Sequence, residues 1–321
     1  MRTFMLAAAV AVAAGPVSAQ TFPVRPITVI VPFSAGGPTD VVARHLALAM
    51  GANLGQTVVV DNRPSSGGIV GAEALLRAAP DGYTLMIHNI GMSTVKALSP
   101  EIKFDPSRDF GYVGEVVDVP MTLVGKKDLP ARNFQELSAY LKSQGSRINL
   151  SNAGIGTASH LCGLMLMTRL NVALTTVPYK GAAPAMTDLQ GGQVDLLCDQ
   201  ITTTQQPILA NRVQAYGSTT AARLPSLPEL PTLSEQGLSG FEVTVWHGLY
   251  APRATPLAVI GRLQQALQAA QSDPTFVDSM KKLGAMPVGA GRATPAALER
   301  KLKSQVATWT PLIQQSQGLV Q

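Results

Sequence analysis

Pro32-Phe33-Ser34-Ala35-Gly36-Gly37-Pro38-Thr39-Asp40 joins a β-branched run, Ile27-Thr28-Val29-Ile30-Val31, to a segment in which Val41, Val42, Leu46, Ala49 and Met50 recur at helical spacing. The stretch predicts a strand-to-helix turn. Gly36 and Gly37 let the backbone come close to a bound group, and Pro38 suits a first helical turn. The free amides there carry the positive end of the helix dipole, so the turn is an anion cradle. No Lys follows in a Gly-Lys-Ser/Thr order, which removes the phosphate-loop reading and leaves a carboxylate as good a fit as a phosphate. The plainer alternative is a tight turn without a ligand.

Working outward, the pattern continues as strand and helix in alternation. Thr57-Val58-Val59-Val60-Asp61 reads as a strand, Gly67-Gly68 opens a helix through Arg77, and Asp81-Gly82 turns into the strand Tyr83-Thr84-Leu85-Met86-Ile87-His88. A βαβαβ series predicts a parallel sheet whose ligands bind beyond the carboxyl ends of the strands, where the first turn and His88-Asn89 lie. Near Met121-Thr122-Leu123-Val124-Gly125 the chain is expected to leave this unit. It then repeats the device: a helix from about Phe134 to Ser143, a strand at Ile148-Asn149-Leu150, and a second glycine-bearing turn, Ser151-Asn152-Ala153-Gly154-Ile155-Gly156-Thr157-Ala158-Ser159-His160. Two such turns point to a small acid held between two lobes by amides of both. The alternative is that Ser151 and Thr157 only cap the turn and helix. The second turn nearly matches the dinucleotide fingerprint, yet it lacks the third Gly and the acidic residue about twenty positions on, where Thr175 and Thr176 stand.

The ends and the composition narrow the class. Arg2, the short apolar run Leu6 to Ala14 and the small residues Val17-Ser18-Ala19 predict an export signal over residues 1–19, cleaved before Gln20, and hence a periplasmic protein. With 321 residues, 46% hydrophobic and 14% charged, the chain suits two lobes with cores of their own. The net charge of +5 comes from scattered cations, and the 5% of aromatics do not interleave with them, which argues against a nucleic-acid partner.

Arg25-Pro26-Ile27, Val31 to Gly37, Asp61-Asn62-Arg63-Pro64, Pro80 to Leu85, Val177-Pro178-Tyr179-Lys180-Gly181, Asp188-Leu189-Gln190-Gly191-Gly192 and Gly248-Leu249-Tyr250-Ala251-Pro252 resemble, in order, the solute-binding proteins of tripartite tricarboxylate transporters. The resemblance spans essentially the whole mature chain. It implies an α/β, two-lobed periplasmic binding fold of type II-like form that closes on a small mono- or dicarboxylate. It also implies delivery of that ligand to a large and a small membrane subunit, without a cofactor. The family's ligand loops match Phe33 to Asp40 and Ser151 to Thr157, partly through ordered water. Lobe 1 is expected to comprise residues 20–122 and 247–321, and lobe 2 residues 123–246, with a monomeric receptor as the result. Strand-like Phe241 to Trp246 would carry the chain back, followed by helices from Leu257 to Gln271, Thr275 to Leu283 and Thr294 to Gln315.

The candidate ligand contacts are Phe33, Ser34, Ala35, Gly36, Gly37, Thr39, Asp40, His88, Asn89, Ser151, Asn152, Ala153, Gly154, Thr157, Tyr179, Asp199 and Trp246. For Trp246, a buried structural indole is the competing reading. Cys162 and Cys198, an even pair in an exported chain, are expected to form a disulfide, with two buried free thiols as the alternative. An enzyme is disfavoured: there are four His, no Gly-x-Ser-x-Gly elbow, and Ser159 and His160 are helix neighbours whose side chains point apart. No His pair has metal-binding spacing, so no metal or cofactor is expected. A ligand-occupancy partner of a membrane sensor kinase remains a second function class, and a secreted hydrolase a third.

Overall fold

The computed structural model describes residues 22–316, so the predicted export signal at residues 1–19 lies outside the described residues. In chain order the elements are β1 (Ile27–Val31), α1 (Pro38–Leu54), β2 (Val58–Asn62), α2 (Ile69–Arg77), β3 (Thr84–Asn89), α3 (Val95–Leu98), β4 (Phe110–Lys126), α4 (Phe134–Gln144), β5 (Asn149–Asn152) and α5 (Ala158–Leu170). There follow β6 (Thr175–Pro178), α6 (Ala182–Gln190), β7 (Leu196–Gln200), α7 (Ile201–Leu209), β8 (Val213–Ser218), β9 (Thr244–Pro252), α8 (Leu257–Ser272), α9 (Pro274–Lys282), β10 (Met286–Pro287) and α10 (Pro295–Ser316).

The strands hydrogen-bond in the order β2-β1-β3-β9-β4-β7-β5-β6, with β8 and β10 also paired to β4. As the βαβαβ pattern requires, β1 lies parallel to both β2 and β3. β5 is likewise parallel to β6 and β7. β4 serves both halves: Phe110 to Pro120 pair with β9, whereas Met121 to Lys126 pair with β7 and β8. The break near Met121 is therefore a change of partners within one long strand.

β1 shows why the sheet is covered on both faces. Ile27, Val29 and Val31 pack with Val42, Leu46 and Met50 of α1 and Leu263 and Leu267 of α8, while Ile30 joins the core on the other side with Leu75 of α2. A strand buried on both faces reads as a continuous apolar run, which is how Ile27 to Val31 reads. The return strand begins at Thr244, later than its sequence signal, because Phe241 and Val243 are already packed in the core as irregular backbone. In the second half, Cys162 on α5 and Cys198 on β7 form a disulfide with Cα atoms 6.0 Å apart. It closes a separation of 36 residues and ties the helix after the second turn to the strand beside it, worth about 3 to 4 kcal/mol in the chain-entropy account.

Candidate functional site

Both glycine-bearing turns form, and they face each other. The first ends with Gly37 as N-cap of α1, its amide donating to the Ser34 carbonyl at 3.3 Å and Pro38 opening the helix. The second ends with Thr157 as N-cap of α5. In the first turns, Thr39 and Asp40 of α1 and Ala158 and Ser159 of α5 carry amides without an intrahelical acceptor, while the His160 amide is capped by Thr157 Oγ1. Between the turns lies a narrow cavity of about 10 Å³, lined on one side by Phe33, Pro38, Thr39 and Asn89. Its other side is formed by Ala153, Thr157, Ala158, Ser159, Ala182, Asp199 and Gln200.

The two sides touch around this cavity. The Ser34 amide donates to the Lys180 carbonyl at 3.2 Å, the Ile155 amide to Ser66 Oγ at 3.1 Å, and Thr94 Oγ1 to the Gly156 carbonyl at 2.8 Å. Only glycine fits at Gly181: its φ is +147°, and a Cβ there would lie 2.1 Å from Ser34 Oγ.

Of the predicted contacts, Phe33, Thr39, Asn89, Ala153, Thr157 and Asp199 reach the cavity. The Thr39 hydroxyl is fixed from behind by His247 Nε2 at 3.3 Å and Asn89 Nδ2 at 3.4 Å. The other predicted contacts shape the walls instead. Asp40 is a brace: its carboxylate accepts from the Gly36 amide, Arg44 Nε and Asn62 Nδ2, each at 2.9 Å. Burial alone would raise its pKa, but those three donors and the Arg44 charge hold it below the usual carboxylate value. Ser151 donates to the Leu196 carbonyl at 2.9 Å across the sheet, and Asn152 Oδ1 accepts from the Gly154 amide at 2.9 Å, a local turn that Gly154 completes with φ +116°. Ala35 and Gly36 are exposed on the rim, while Ser34 and Gly37 sit at the contact between the halves. Tyr179 sends its hydroxyl to Asp188 at 2.6 Å.

Two more candidates are buried and do not line the cavity. His88 is buried edge-on to the Phe33 ring, accepting from the Asn89 amide at 2.9 Å, and burial lowers its pKa to about 4. Trp246 is 1% exposed and packs in the core.

Ser159, Gln200 and Ala182, which the sequence did not single out, also line the cavity. The Ser159 hydroxyl and Gln200 Oε1 are buried in the cavity wall without a hydrogen-bond partner among the described residues. Thr157, by contrast, is fully engaged: its hydroxyl donates to the Gly154 carbonyl at 2.7 Å and accepts from the His160 amide at 3.3 Å. Capping and turn residues could be read from sequence; which hydroxyls the caps consume could not.

The fold is that of the two-lobed periplasmic binding proteins. Within that class, the profile described as "Tripartite tricarboxylate transporter family receptor" matches residues 42–318, and the chain belongs to that family. It is 44% identical over 297 residues to the UPF0065 protein in the TAR-I ttuE-ttuC' intergenic region of Agrobacterium vitis, covering 92% of this chain and 86% of that one. Among solved structures it superposes on the periplasmic binding protein BugD with TM-score 0.90 at 48% identity, covering 92% of this chain and 98% of BugD. It superposes on MatC from Rhodopseudomonas palustris, with bound malate, with TM-score 0.88 at 35% identity, covering 91% and 100%. The family is one of solute-binding receptors, so this chain is a receptor and not an enzyme.

Proposed function

We propose that the protein captures a small mono- or dicarboxylate in the cleft between lobe 1 (residues 20–122 and 247–321) and lobe 2 (residues 123–246). It then delivers the ligand to the large and small membrane subunits of a tripartite tricarboxylate transporter. It works in the periplasm as a monomer, with residues 1–19 removed on export. The observation that carries this reading is the cavity between two helix N-termini, lined by neutral donors and by no Lys or Arg. Each hydrogen bond to a charged carboxylate contributes about 1.5 to 3 kcal/mol, and each helix start up to about 2 kcal/mol. One turn falls short of the roughly 8 kcal/mol of micromolar binding, and two together reach it. Closure is therefore the bound form, selected by the ligand's differential affinity for it. Malate in MatC supports the substrate class. A thermal-shift panel of malate, succinate, adipate, aspartate and benzoate, followed by calorimetric titration, is expected to give at least one stoichiometric binder. Stabilisation by phosphates or sugars with none by carboxylates would refute it.

A further inference from the structure

Asp199 is the one charged side chain in the cavity wall, 1% exposed. Its Oδ2 accepts from Thr203 Oγ1 at 2.6 Å, and the Gln200 amide also donates to the carboxyl. No cation pairs with it among the described residues, because the neighbouring charges are engaged elsewhere. On β4, Lys126 is bound to Asp195, Glu115 and Asp118 are bound to Arg292, and the Tyr112 hydroxyl donates to the Ser107 carbonyl. On α6, Asp188 accepts from Tyr179; on α5, Arg169 reaches the Ser239 carbonyl, and His160 Nδ1 accepts from the Gly156 amide as a neutral ring. β5 and α7 carry no titratable side chain, and Phe33, Pro38, Thr39 and Asn89 across the cavity are uncharged.

Two carboxylates cannot share one water-poor site with both ionised. Resting on the carboxylate reading above, we propose that Asp199 is a specificity-determining residue that binds the ligand as the neutral acid. It donates its own proton into a hydrogen bond with the incoming carboxylate, so that capture takes up one proton from solvent. The only covalent change is that proton joining the Asp199 carboxylate; no other bond is made or broken. Burial, with no opposing cation, pushes the Asp199 carboxyl up to about 7, so the proton is within reach near neutral pH. Ligands presenting an anionic oxygen to Asp199 are favoured, and ligands presenting an ammonium there are not.

The test is calorimetric titration of the mature protein with malate, or with the strongest binder of the panel above, at pH 6, 7 and 8 in buffers of different ionisation enthalpy. The dissociation constant is expected to rise about tenfold from pH 6 to pH 8, with uptake close to one proton per ligand at pH 8 and near zero at pH 6. Asp199→Asn keeps a donor that does not titrate, so its affinity is expected to be flat with pH and its proton uptake nil. Should that variant not fold, the proton count of the unmutated protein decides alone. Binding without proton uptake overturns the proposal and leaves the carboxylate receptor standing. Affinity that rises with pH overturns it as well, since Asp199 would then be the counter-ion of an ammonium. Failure of every carboxylate to bind removes both.

Discussion

A buried hydroxyl with no partner costs a folded protein about 1 to 3 kcal/mol. Ser159 carries such a hydroxyl in the first turn of α5, at the cavity wall. Ser159→Ala is expected to leave the ligand-free protein as stable as before, or slightly more so, and to weaken carboxylate binding about 3- to 10-fold, the loss of about 1 kcal/mol of hydrogen bonding. Titration calorimetry beside thermal unfolding checks it; unchanged affinity would mean that this hydroxyl does not meet the ligand. Thr157→Val acts differently, since it removes the cap of α5 and should lower stability by about 1 kcal/mol. Both residues stand in one quoted stretch of sequence. What separates them is that Thr157 Oγ1 is 2.7 Å from the Gly154 carbonyl while Ser159 Oγ has no such neighbour, a fact of folded geometry and not of residue type.

At the level of elements, the two halves meet through shared core packing and through hydrogen bonds that can be tested singly. Thr94 Oγ1 donates to the Gly156 carbonyl from a fully buried position. Thr94→Val removes that donor at similar volume and leaves the carbonyl without it, a loss of about 1 to 1.5 kcal/mol in the closed form. Ligand affinity should fall by roughly 5- to 13-fold, with the circular dichroism of the ligand-free protein unchanged. Equal affinity in the variant would show that binding does not need this closure. The glycine turns, β1, β3 and α1 were legible because their hydrophobic period and turn residues agree. β8, α6 and α7 were not read. Ala182 to Gln190 and Ile201 to Leu209 are short helices next to strand-like runs, and α7 carries Pro207 within it. The disulfide was legible from two cysteines in an exported chain, whereas its position behind the cavity wall required the fold.

For the molecule as a whole, three buried histidines set its response to acid. Burial lowers His88 and His160 to about 4, and burial together with the His88 charge lowers His247 to about 3. In the unfolded chain each titrates near 6.5, so between these values the unfolded state binds more protons and stability is lost as pH falls. Asp199 works the other way between the ordinary aspartate value of 3.8 and about 7, since there the folded state holds the extra proton. Three groups against one leave a net of about two protons, on the order of 2 to 3 kcal/mol per pH unit in the middle of the window. The melting temperature of the ligand-free protein should therefore fall steadily below pH 6.5 in scanning calorimetry, and a flat profile from pH 6.5 to 4.5 would contradict it.

The sheet also fixes an order in time. β9 lies between β3 and β4, though more than a hundred residues separate it from either. Until Thr244 to Pro252 emerge, the facing edges of β3 and β4 have no partner, and a chain made from its amino end cannot complete the sheet that carries its first turn. Such late completion leaves the sheet open between β3 and β4 until Thr244 to Pro252 have been made, and joins the two halves of the chain only then.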